Sequence, residues 1–199
     1  MWRWSIGCGA CTPDAPLPDL TEAEGAALLA FACGTVGAAV RRQRVPSAPP
    51  DPALQEPRGV FVTLQSGGHL RGCLGHIEAD GPLVAATARM AEAVASEDPR
   101  FHPVQPNELA GMSVEVSVLS PLFAMEAGDV VVGVHGLLIR RGRSGGLLLP
   151  QVATEHHLDR AAFLQALCQK ANLPPDAWQA PGTTLQAFTV QRWATTMPT

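Results

Sequence analysis

The chain has 199 residues, 46% of them hydrophobic and 16% charged, with a formal net charge of −4. That composition supports one sizeable domain with a real core and excludes bulk disorder. With no basic stripe, nucleic acid is not expected as a partner. With no apolar run near the ~20 residues needed to cross a bilayer, neither is a membrane.

Residues 1–19 are rich in Pro, Gly and Cys and read as a flexible tail, followed by one domain over 20–195. The five cysteines, Cys8, Cys11, Cys33, Cys73 and Cys168, are odd in number and scattered, unlike a disulfide framework. Cys8 and Cys11 have metal-ligand spacing, but no second pair follows, so no metal or other cofactor is expected. The first fifteen residues lack the apolar segment of an export signal, which points to a reducing cytoplasm.

Thr21-Glu22-Ala23-Glu24 is a capping box and opens a first helix that runs to about Arg42. A proline-rich loop from Pro46 to Pro57 follows. Gly59 to Leu64 reads as a strand and Ser66-Gly67-Gly68 as the turn of a hairpin. His69 to Cys73 is then the returning strand. Asp80 caps a second helix, with Pro82 in its first turn, ending at Glu97-Asp98-Pro99. Met112 to Leu119 alternates as a half-buried strand, with Glu115 on its polar face. Val130 to Val134 and Leu137 to Arg140 are predicted strands, and Leu147 to Leu149 a buried one. The glycines of the 141–146 turn lack the strand-to-helix context of a dinucleotide site. A third helix spans roughly Arg160 to Ala171, and Thr183 to Gln191 closes the chain as a strand. Adjacent strands with short turns give an α+β fold.

The chemistry concentrates in His69-Leu70-Arg71-Gly72-Cys73-Leu74-Gly75-His76. His69, Arg71 and Cys73 are expected to share one face of the strand. A guanidinium beside a thiol favours the thiolate, the nucleophilic form. A free cysteine near 8.5 is only about 3% thiolate at neutral pH, and about two units of lowering, roughly 2.7 kcal/mol, makes most of it thiolate. Gly72 and Gly75 are expected to leave the thiol's surroundings open, with a sharp bend after Cys73. The competing reading makes Cys73 a small buried hydrophobe and Arg71 a salt-bridge partner. Asp98-Pro99-Arg100-Phe101-His102-Pro103 adds an acid, a base and an imidazole in a stiff loop expected beside Cys73. Its plainer reading is a solvated turn with an Asp98–Arg100 pair, and Glu115 likewise reads as a surface acid.

These stretches, with Gly146 to Val152, Phe163-Leu164, Cys168 to Ala171 and Asp176-Ala177-Trp178, resemble in order the AMMECR domain family. Its prokaryotic members are called AmmeMemoRadiSam system protein A. The resemblance covers roughly residues 20 to 192, with Leu74 where the family usually has Ile. It implies two subdomains built on antiparallel or mixed sheet with flanking helices, a cleft between them, and a site at the Arg71 to Gly75 signature. It also implies association with a Memo-type protein and a radical SAM protein.

Two functions follow as expectations. In the first the chain is a cysteine-dependent group-transfer enzyme, or an enzyme accessory. Cys73 is then the nucleophile, Arg71 its anion partner, and His69, His76 or His102 the base. In the second it is a non-catalytic module that recognises an acidic peptide or small metabolite through Arg71, Arg100 and Glu115.

Overall fold

The computed structural model describes residues 19–79 and 81–198. The tail expectation, with Cys8 and Cys11, and the Asp80 cap lie outside the described residues. The first helix, α1 (Glu22–Arg41), starts at the capping box: the Thr21 amide donates to Glu24 at 2.6 Å and the Glu24 amide to the Thr21 hydroxyl at 3.3 Å. By length and apolar character α1 could cross a membrane, which the sequence reading did not anticipate. Here it packs Leu28, Phe31, Ala32 and Val36 into a core shared with α2 (Leu83–Val94).

A four-stranded antiparallel sheet lies under these helices in the order β2-β1-β3-β8. Its members are β1 (Val60–Ser66), β2 (His69–His76), β3 (Ser113–Leu119) and β8 (Val190–Thr196). Gly67 and Gly68, at φ 57° and 80°, make the two-residue turn between β1 and β2. Val60, Val62, Leu64, Val114, Val116 and Val118 face the helices and are buried. Alternation puts Phe61, Thr63, Glu115 and Ser117 on the opposite face.

A second antiparallel sheet has the order β4-β7-β5-β6. It comprises β4 (Phe123–Ala124), β5 (Gly136–Arg141), β6 (Ser144–Leu148) and β7 (Thr183–Phe188). It packs Leu137, Ile139 and Ala187 against Phe163, Leu164 and Leu167 of α4 (Arg160–Lys170). The short helix α3 (Pro150–Glu155) precedes α4. The fold is thus α+β, with one hydrophobic core on each sheet.

Three details differ from the sequence reading. Residues 130–135 form a turn, not a strand: the His135 amide donates back to the Val131 carbonyl at 3.0 Å, and Val131 and Val134 are about half exposed. Leu147 and Leu148 are half-buried. The closing strand is two strands in different sheets, β7 and β8, broken at Thr189. The β3–β4 segment breaks opposite it, and Ser120 bonds Thr189 through both its amide and its hydroxyl at 3.0 Å. One long ribbon therefore changes sheets at this seam.

Candidate functional site

The geometry of the site begins with a register slip. Gln65 pairs with Leu70 but Leu64 pairs with Gly72, so Arg71 is the extra residue of a β-bulge. A regular hairpin closed at Gly67-Gly68 would set Cys73 opposite Val62, whose side chain is in the core. The bulge sets it opposite Thr63 instead and sends Leu74 to the core side. A one-residue slip moves every later side chain to the other face. Cys73 is therefore a half-buried thiol on the sheet's outer face, and the Thr63 hydroxyl donates to its sulfur at 3.3 Å.

The same bulge takes His69 off the Cys73 face, and alternation alone puts His76, three residues past the thiol, on the other face. His69 pairs with Ser66 and His76 with Val60, both out of phase with the Thr63 face, so neither shares a face with Cys73. The His76 ring is half-buried with Nε2 enclosed. His102 touches the motif through its backbone carbonyl, which accepts from Arg71 at 2.9 Å, while the residue itself is exposed.

β2 is an edge strand, and its outer edge at Cys73 is closed by side chains. The Cys73 amide donates to Asp98 Oδ2 at 2.9 Å, and Arg100 donates to the Cys73 carbonyl at 3.2 Å. Arg100 also grips Asp98 in a forked pair at 2.9 and 2.7 Å. The two side chains supply the donor and acceptor that a neighbouring strand would have supplied. The Asp98 side chain is 2% exposed. The Arg100 hydrogen bonds, opposed by burial and aided by the Cys73 amide, hold its carboxyl well below the usual carboxylate range. Asp98 thus forms the expected pair with Arg100, with the carboxylate buried and the guanidinium half exposed.

Arg71 turns away from the thiol. Its Nε donates to Glu108 Oε1 at 2.8 Å and Nη2 to Oε2 at 3.2 Å. Arg71 lowers the Glu108 carboxyl in return, helped by the Gln105 amide. Phe101 stacks with both guanidinium groups, 5.8 Å from Arg71 and 5.5 Å from Arg100. These residues, with Pro99 and His102, line a shallow recess of about 370 Å³.

Both signature glycines are packed, not open. A Cβ on Gly72 would meet Val94 at 3.1 Å, and one on Gly75 would sit 2.4 Å from the Phe61 ring and the Val60 carbonyl. Neither has a positive φ, and β2 runs straight on to His76. Glu115 stands opposite Thr63 on its other side, completing a row Cys73, Thr63, Glu115, and accepts from Ser117 at 3.1 Å. Among the described residues no three His, Cys, Asp or Glu side chains converge to hold a metal ion.

The sequence reading missed Thr63, Glu108 and Phe101. Thr63 lies in the polar phase of β1, but its pairing with Cys73 depends on the bulge, for which the sequence carries no signal. Glu108 sits in a separate turn and stands in the sequence only as one acid among many.

Comparison with known proteins places this geometry in a family. The AMMECR1 family model matches residues 29–193. A protein of Methanothermobacter thermautotrophicus is 46% identical over 155 residues, covering 74% of this chain and 80% of that protein. One from Thermococcus kodakarensis is 45% identical over 165 residues, covering 76% and 80%. The crystal structure of an uncharacterized protein from Pyrococcus horikoshii superposes with a TM-score of 0.78 at 37% identity, over 87% of this chain and 92% of that one. Shared motifs, sequence and fold agree, and the chain belongs to the AMMECR1 family.

Proposed function

We propose that the chain is a cysteine-dependent enzyme, or an enzyme's accessory, that works through the Cys73 thiol. The observation that carries this reading is the double clamp on the Cys73 backbone, joined to the Thr63 hydroxyl on its sulfur. An ion pair with a buried carboxylate and a half-exposed guanidinium fixes both backbone polar groups of one residue while leaving its side chain half exposed. Such support suits a thiol whose position matters, because a loosely held nucleophile loses the benefit of orientation. The Thr63 hydroxyl steadies the sulfur when it is anionic. We assign the proton to Glu115, next in the row beyond Thr63, about two strand spacings or roughly 9–10 Å away, which it would reach through a bridging water. The thiolate would then attack an electrophilic carbon of the substrate, forming an S–C bond as the bond from that carbon to its leaving group breaks, and the leaving group departs with the proton taken from the thiol. This replaces the histidine bases and the Arg71 anion partner with Thr63 and Glu115. The family resemblance favours work beside a Memo-type protein and a radical SAM protein, on a small molecule or peptide.

The binding-module reading draws less support. Arg71 and Arg100 already spend their donors on Glu108 and Asp98, which weakens them as readers of an outside anion.

The test is competitive alkylation by iodoacetamide, mapped by mass spectrometry. Burial pushes the Cys33 and Cys168 thiols up, so Cys73 is expected to react fastest of the three. Thr63→Val is expected to slow Cys73 several-fold and leave the others unchanged. If Cys73 reacts slowest in the folded protein, the reading fails.

A further inference from the structure

We propose that Phe61 is the specificity-determining residue of the Cys73 site and selects an uncharged substrate that carries an aromatic group close to its electrophilic carbon. The inference rests on the reading of Cys73 as a nucleophile and names a substrate class for it. Phe61 pairs with Gly75, two residues along from the Thr63–Cys73 pair, so ring and thiol share the outer face of the sheet as diagonal neighbours. Such neighbours lie about 7–8 Å apart. A Cβ on Gly75 would sit 2.4 Å from Cγ and Cδ1 of the ring, so the ring leans over Gly75 onto β2, the strand that carries the thiol. On the β3 side Phe61 pairs with Ser117, also small. The ring is half-buried, and among the described residues it packs into neither hydrophobic core. It is an aromatic surface beside the sulfur, and the glycine at 75 is what lets it lie there.

The charges around the thiol point the same way. On the outer face the sheet neighbours of Cys73 are Thr63, Gly75 and, diagonally, Phe61 and Gln65, none of them charged. Arg71 turns away to Glu108, and Arg100 lies at the strand edge against Asp98. The next charge in the row is Glu115, an acid, which repels an anion. A substrate bonded to the sulfur through its electrophilic carbon therefore meets a neutral surface with one apolar wall. An aromatic group a few bonds beyond that carbon reaches the wall and packs offset or edge-on against Phe61, with ring centroids about 4.5–7 Å apart.

The test is alkylation of Cys73 in the full-length protein by iodoacetamide, by iodoacetanilide, which adds a phenyl ring, and by iodoacetate, which adds a negative charge. In each case the sulfur displaces iodide from the same carbon, and dividing by the rate with 2-mercaptoethanol removes the intrinsic reactivity of the reagent. Corrected in this way, Cys73 is expected to react about tenfold or more faster with iodoacetanilide than with iodoacetamide, and at least about threefold slower with iodoacetate. Phe61→Leu is expected to lose the ring preference and Phe61→Tyr to keep it, with cooperative melts showing that both variants fold. The wild-type comparison stands even where a variant fails to fold. A ring preference that survives Phe61→Leu, or iodoacetate faster than iodoacetamide, would overturn the proposal. A Cys73 that is fast with iodoacetamide but indifferent to the ring sinks this inference alone. A Cys73 slower than Cys33 and Cys168 with every reagent sinks the reading of the thiol as nucleophile and this inference with it.

Discussion

Cys73 owes its position to its neighbours, and Asp98 is the neighbour that matters most. Its carboxylate satisfies the Cys73 amide and anchors Arg100. Asp98→Asn keeps the shape but loses the charge, leaving Arg100 and the amide with a weaker acceptor. A cost of about 1–3 kcal/mol is expected near neutral pH, tempered because Arg100 is half exposed. The sign of the pH dependence follows from the lowered carboxyl. A carboxyl held lower in the folded state stabilises fully above its unfolded value, near 3.9, and loses that contribution as pH falls toward the folded value. Urea melts of wild type and variant are therefore expected to differ most near neutral pH and to converge in acid. A gap that widens below pH 4 would contradict the role given to Asp98.

At the level of elements, the hairpin shows what a sequence can and cannot disclose. The β-rich run of β1 and the Gly67-Gly68 turn mark both strands, and the capping box marks α1. The bulge at Arg71 leaves no such mark, because its cause is tertiary: Arg71 reaches Glu108 and the His102 carbonyl, far along the chain. Missing it puts His69 on the wrong face and hides the Thr63 contact. The turn at 130–135 fails for the opposite reason, since its valines favour a strand but two of them end up in solvent. The glycines were visible but their purpose was not. Gly75 accepts the Phe61 ring, so Gly75→Ala is expected to destabilise by about 1–3 kcal/mol through overpacking. Phe61→Ala in the same chain removes only the ring clash, so it should recover part of that loss while the Val60 carbonyl contact remains. Full additivity of the two losses would show that the ring and the glycine do not meet.

Across the whole molecule, the two cores are joined by the ribbon that changes sheets at Ser120 and Thr189. The exposed Glu78–Arg140 pair also links the first sheet's hairpin to the second sheet, but ion pairs in solvent contribute little. The seam is expected to couple the sheets, so fluorescence and far-UV dichroism should report one thermal transition. Ser120→Ala removes the hydroxyl that accepts from Thr189, costing about 1 kcal/mol, or roughly 2–4 °C for a chain of this size. It is expected to lower that single transition; two separated transitions in the variant would locate the coupling at this bond, and two in wild type would refute it.

The claim that the fold exists to present the Cys73 thiol is tested most directly by Cys73→Ser in a strain lacking its own copy, with a melting curve for the same variant. Serine keeps the size and hydrogen-bonding capacity of the side chain but is not a nucleophile near neutral pH. The expected result is a melting temperature within about 2 °C of wild type, a change of under about 1 kcal/mol, and no complementation. A variant that folds and complements fully would contradict the account.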